Sequence, residues 1–207
     1  MPRLHHPSWL LRLAVASAVM CALGIVWFDM PVARYVATHD THPTAWSNAL
    51  VTLEYASGFE PWRWVGTTIL VLGVIVSRAI PRWHGAAKAW LFVTLTHFVA
   101  SNAMIWGKHI TGRVRPSEWH YGTSWWQHGG AFPSGHIALI GSIALPLAIL
   151  YPRTRNWMVL VIAFTGCARV MASAHWTSDV FGGIVLVALS TWACAVAVQR
   201  APWPSAA

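Results

Sequence analysis

The chain has 207 residues, is 56% hydrophobic and only 10% charged, and carries a formal charge of +8. A soluble domain holds roughly 25% charged residues, so these charges are too few to cover a water-facing surface. The mean hydropathy of +0.50 points the same way. An ordinary soluble domain is excluded, and the spread of the basic residues along the chain argues against nucleic acid as the partner.

A helix needs about 20 apolar residues to cross a bilayer. The first apolar run covers residues 9–28. Arg3 and Arg12 before and within it resemble the start of a signal peptide. The run is long, however, and no small-residue cleavage site precedes the polar segment at Asp29, so it reads as a retained helix. Residues 29–61 are polar and mixed in sign, an external segment with room for a short amphipathic helix. It either packs over a site or sets headgroup preference, and it shows no catalytic pattern.

The second and third runs cover residues 64–77 and 86–106. His97 inside the third is expected to hydrogen-bond a neighbouring helix. The polar stretch "KHITGRVRP", Lys108 to Pro116, follows directly. The loop 117–132 holds Trp119, Trp125 and Trp126 among glycines, and reads equally as an aromatic lid or as an interfacial anchor. "PSGH", Pro133 to His136, then opens the fourth run, 136–151, where Pro146 is expected to kink the helix. The fifth, 157–174, ends in "ARVMASAHWTSD", Ala168 to Asp179, and the sixth covers 180–198. The fold class is therefore all-α: one integral membrane domain over residues 1–207 with six transmembrane helices.

Trp9, Trp27, Trp64, Trp83, Trp106 and Trp157 stand at run ends, where tryptophan anchors a bundle at the interface. Cys21, Cys167 and Cys194 lie inside the runs. They give neither a disulfide framework nor a metal-ligand spacing, and read as core residues. Single histidines near run ends (His5, His6, His39, His42, His84, His109, His120, His128) read as interfacial.

Counting the N-terminus as inside, one side of the membrane receives Arg3, Arg12, Arg78, Arg82, Lys88, Arg153, Arg155 and Arg200. The other receives Arg34, Arg63, Lys108, Arg113, Arg115 and Arg169, together with all six acidic residues. The positive-inside rule makes the first side cytoplasmic, which puts both termini in the cytoplasm and the polar clusters outside the inner membrane.

Parity brings those clusters to one face, because two crossings separate His136 from Arg169 and one external loop joins Lys108 to His136. Lys108, Arg115 and Arg169 are three cations, two of them guanidiniums whose planar forks suit phosphate oxygens. Ser134 and Gly135 precede a helix, where unpaired N–H groups and the dipole favour an anion. On a helix His175 and Asp179 share a face. A carboxylate on one ring nitrogen leaves the other free to attack, and His136 is placed to protonate a leaving oxygen. That set describes hydrolysis of a phosphomonoester or diphosphate through a phosphohistidine. Neither a metal nor another cofactor is called for. Arg113 falls outside the pattern and reads as a headgroup contact or surface charge.

Lys108, Arg115 and Pro116 as K-x6-RP, Pro133 to His136 as PSGH, and Arg169, His175 and Asp179 as R-x5-H-x3-D resemble the three signature motifs of the type 2 phosphatidic acid phosphatase (PAP2) superfamily, in order and in compatible spacing. The resemblance implies a six-helix bundle in which Lys108, Arg115, Ser134, Gly135 and Arg169 bind phosphate. It makes His136 the acid and His175 the nucleophile oriented by Asp179. One departure is Ala168, where the third motif usually has serine, removing a hydroxyl contact to phosphate. The implied substrates are lipid phosphates at the outer leaflet: undecaprenyl diphosphate, phosphatidylglycerol phosphate, phosphatidic acid or lipid A phosphate. The first, or a glycerophospholipid phosphate, is the preferred expectation. The competing readings are a lipid phosphotransferase using the same phosphohistidine and a non-catalytic anion-binding membrane protein. The superfamily's soluble vanadium haloperoxidases are disfavoured by the apolar runs.

Overall fold

The computed structural model describes residues 8–39, 44–56, 64–120 and 124–200. Among them there is no strand. Helix α1 (Ser8–Leu23) runs through a π-helical turn (Gly24–Phe28) into α2 (Asp29–Thr38). Then follow α3 (Thr44–Ala56), α4 (Val65–Ala79), α5 (His84–Thr111), α6 (Gly135–Leu150), α7 (Arg155–Met171) and α8 (Thr177–Arg200). Short 3-10 turns open on Pro81, Pro116 and Pro152. Proline suits a first helical position, since its missing N–H would have no partner there.

The membrane-crossing capacity is uneven. Three helical stretches, Ser8–Thr38, Pro81–Thr111 and Thr177–Arg200, are long and apolar enough to cross a bilayer, and α4 and α6 are shorter apolar helices. The 15 residues of α4 reach about 22 Å at 1.5 Å per residue, short of a hydrocarbon core of about 30 Å. The first run does not stop at Phe28 as the sequence suggested. Asp29 is no solvated terminator: it is buried against Arg113, so the helix continues unbroken to Thr38.

Helix α6 is the buried axis, packed against α5, α7 and α8. Pro146 lies buried within it, and the helix continues to Leu150 on either side of that residue. The approach of α8 to α6 depends on Gly183, where an added Cβ would fall 2.9 Å from Ile137 Cβ and 3.2 Å from the Ser134 carbonyl oxygen. Helix α1 lies along α8. Gly24 permits that contact at the height of the site, since a Cβ there would come within 2.9 Å of Ser178 Cβ. His97 is buried and bridges three helices, bonding Thr67 on α4 at 3.0 Å and Ser142 on α6 at 2.9 Å. This is the helix-to-helix role expected of it.

Large apolar side chains face outward on the bundle surface, among them Val15, Val26, Ile69, Leu72, Phe98 and Ile110. Contiguous exposed apolar surface marks a face covered by something other than water, here lipid. Trp64, Trp83 and Trp157 are exposed at helix ends and Trp106 near the end of α5, whereas exposed Trp27 lies within the continuous first helix. The cysteines are free, and only Cys194 is buried. Cys167 is a correction to the core reading: it lies on the exposed face of α7.

Candidate active site

One end of the bundle gathers the C-termini of α5 and α7 and the N-termini of α6 and α8. Lys108 stands in the last turn of α5. The helix closes on Gly112, left-handed at φ 54°, whose N–H bonds the Lys108 carbonyl at 2.9 Å. Such a cap favours glycine because a Cβ clashes there. The chain then reverses, and residues 112–114 pair with residues 125–131 through Val114 N–H to Trp125 O, Gly129 N–H to Gly112 O and Ala131 N–H to Arg113 O. This ribbon carries Arg113 and Arg115 across the end of the bundle. The Lys108 ammonium also donates to the Gly130 carbonyl.

Ser134 is the N-cap residue of α6. Its N–H bonds the Asp179 carbonyl at 3.0 Å, pinning the PSGH turn to the start of α8. Its side chain is fully buried, and its Oγ has no hydrogen-bond partner among the described residues; the same is true of Arg169 Nε. Gly135 faces Lys108 and Met104. His136 lies within electrostatic reach of Arg169, His175, Lys108 and Arg115. Its Nε2 is 2.7 Å from the Glu54 carboxylate of α3.

His175 sits in the tight link between α7 and α8, where Ser173 takes a left-handed φ of 51°. Its ring is almost wholly buried, and Nδ1 faces Asp179 Oδ2 at 3.5 Å. Burial pushes the imidazole below its ordinary value, against the opposing pull of Asp179. The ring is thus held neutral at neutral pH. Asp179 is at the third position of α8, and its Oδ2 accepts the Trp176 N–H at 2.9 Å, the return bond of a capping box. Its Oδ1 takes Arg113 Nη1 at 2.7 Å.

The residues that the motifs single out therefore converge: Lys108, Arg115, Ser134, Gly135, His136, Arg169, His175 and Asp179 share one end of the bundle. Arg113 overturns the surface reading. It is fully buried, ion-paired at 2.7 Å to both Asp29 and Asp179, and bonded to Ser178 Oγ. Its guanidinium lies 5.2 Å, 5.3 Å and 5.4 Å from the rings of Trp125, Trp126 and Trp176. Trp125 stacks on Trp176 at 4.8 Å, so the aromatic loop roofs this arginine. Glu54, Asp29 and Ser178 also escaped sequence reasoning. The available signal for Asp29 was an acid ending an apolar run.

Residues 86–203 match the family model of the PAP2 superfamily, over half of the chain. The chain belongs to the PAP2 superfamily. The matched PAP2 segment holds α5 to α8, and Asp29 and Glu54 lie outside it. This PAP2 chain is similar to the lipid A 1-phosphatase of Rhizobium etli, 33% identical over 141 residues, covering 60% of this chain and 58% of that protein. It is similar to the lipid A 1-phosphatase of Rhizobium johnstonii, 34% identical over 141 residues, covering 60% and 55%. A shorter match, 33% over 81 residues, reaches the lipid A 1-phosphatase of Porphyromonas gingivalis, covering 37% and 16%. The matches span little more than half the length of the two rhizobial relatives. No solved structure matches the PAP2 chain significantly.

Proposed function

We propose that this PAP2 protein is an integral membrane lipid phosphatase that cleaves a headgroup phosphate through a phosphohistidine, without a metal ion. The observation that carries the reading is the convergence of two imidazoles and three cations around buried Ser134 Oγ and Arg169 Nε, which have no hydrogen-bond partner among the described residues. Buried donors without partners are costly, and a tetrahedral oxyanion would satisfy them together. The names of the relatives favour a lipid A 1-phosphate over the diphosphate and glycerophospholipid substrates preferred from sequence alone.

The geometry supports the following chemistry. With Nδ1 of His175 facing Asp179, Nε2 attacks phosphorus, and the bond from phosphorus to the lipid oxygen breaks. His136 gives that oxygen its proton, and the lipid leaves as an alcohol. Burial first, and then the neighbouring cations, oppose protonation of His136, whereas the Glu54 carboxylate at 2.7 Å favours it. Glu54 thereby helps His136 serve as an acid. Water then gives a proton back to His136 and attacks phosphorus, the phosphorus–nitrogen bond breaks, and inorganic phosphate departs. Lys108, Arg115 and Arg169 offset charge on the equatorial oxygens throughout.

The five apolar helical stretches together with α7 are taken as six crossings of the inner membrane, with both termini cytoplasmic and the site on the periplasmic face. Parity, the outward apolar surface and the excess of basic residues on the opposite side support that orientation. The test is phosphate release from lipid A 1-phosphate and from phosphatidic acid in detergent with EDTA present. Wild-type turnover that persists in EDTA and disappears in His175→Ala is expected. Turnover that requires an added divalent ion, or that survives in His175→Ala, would overturn the mechanism.

A further inference from the structure

We infer that Arg113 is a positioning residue that acts on the nucleophile through Asp179, anchored from behind by Asp29; the inference rests on the phosphatase reading above. Asp179 must present one oxygen to His175 Nδ1, and a carboxylate on a free rotamer would present it only part of the time. Here both oxygens are committed. Oδ1 takes Arg113 Nη1 at 2.7 Å, while Oδ2 takes the Trp176 N–H at 2.9 Å and faces His175 Nδ1 at 3.5 Å.

The arginine is fixed in turn. Its other nitrogen, Nη2, meets Asp29 Oδ2 at 2.7 Å, and Asp29 Oδ1 accepts the Ser178 N–H at 2.9 Å. Ser178 Oγ completes the ring, donating to Asp29 and accepting from Arg113. Arg113, Asp29, Ser178 and Asp179 are at or within 1% of complete burial, so these bonds are shielded from bulk water. The three charged groups sum to a formal charge of −1 behind the histidine. That favours the positive charge His175 acquires as its nitrogen bonds phosphorus. The π-helical turn just before Asp29 fits the same role. Such bulges redirect the residues that follow them, and Asp29 at its end is turned into the α8 N-terminus.

A planar fork is required. Lysine places one ammonium where two carboxylates and a hydroxyl are now met from fixed directions. Arg113→Ala would leave two buried carboxylates without a counter-charge and is expected not to fold, so the informative variants are Arg113→Lys and the isosteric Asp29→Asn. The measurement is kcat and KM for a lipid phosphate in detergent, with thermal unfolding alongside.

Arg113→Lys is expected to lower kcat about tenfold to a hundredfold with KM changed less than about threefold, the size of loss that follows a small misplacement of a reacting group. Asp29→Asn is expected to lower kcat about fivefold, and it decides the matter alone if Arg113→Lys does not fold. In an Asp179→Asn background either substitution is expected to have little further effect on kcat, because coupled residues are not additive. Wild-type kcat in the folded variants, or losses that multiply fully with Asp179→Asn, would overturn the positioning role and leave the phosphatase reading standing. An inactive wild-type protein would overturn both.

Discussion

His175 is buried, yet the proposed mechanism requires it to become charged, and its neighbours pull in opposite directions. Burial favours the neutral ring and Asp179 favours the charged one, with burial prevailing. A lowered value means that the ring stays neutral to a pH below the ordinary histidine value of about 6.5. The acid limb of kcat/KM is therefore expected below that pH. Asp179→Asn removes an influence that raises the value, so the limb should move to still lower pH while kcat falls about a hundredfold or more. A pH–rate profile of the two proteins checks both signs. Glu54→Gln removes the carboxylate from His136 and is expected to slow lipid release more than phosphate binding, seen as a lower kcat at similar KM.

What sequence made legible at this scale was set by residue type. Histidines, guanidiniums and a helix-start glycine at fixed spacing suggest a chemistry, and the fold brings them to one end of the bundle. Asp29 and Glu54 did not, because an acid in a polar segment has no local pattern. Their meaning comes from Arg113 and His136, which are distant in the chain. Arg113 was misread for the same reason: its partners stand on the first and last helices, where spacing carries no information.

At the scale of the elements, the site is as exact as the contact between α6 and α8. Ser134 is tied to Asp179 through the backbone, and Gly183 is what lets that tie close. Gly183→Ala puts a methyl carbon within 2.9 Å of Ile137 Cβ, on the branch point of a stiff side chain with little room to yield. Overpacking of this kind costs about 1–3 kcal/mol. The variant is expected to unfold at lower temperature in detergent and to lose activity as the PSGH turn is pushed from α8. Unchanged melting and activity would mean that the two helices are free to separate. The helices themselves were readable from apolar runs, but their ends were not. The first run looked finished at Asp29 because a charge normally seeks water, and only a buried arginine lets the helix continue. Pro146 lies buried inside α6, and it does not end that helix, which runs on to Leu150.

Across the whole molecule, the axial helix α6 is surrounded by α5, α7 and α8, these four position the candidate site, and α1 and α4 lie outside them. The motifs of three loops converge because consecutive helices return the chain to one end. Parity of six crossings led to the same end of the bundle, whereas by length and composition three stretches among the described residues reach across a bilayer unaided. A reporter fused to the C-terminus is expected to score as cytoplasmic; a periplasmic score would reverse the orientation proposed for the site.

The most direct measurement is to mix the protein with a lipid carrying labelled phosphate, quench within one turnover in alkali and map the label. Acid-labile, alkali-stable label on His175, absent from the His175→Ala protein, is the expected result. Label on another residue, or no protein-bound label in a protein that turns over even when sampled on the millisecond scale, would contradict attack by this histidine.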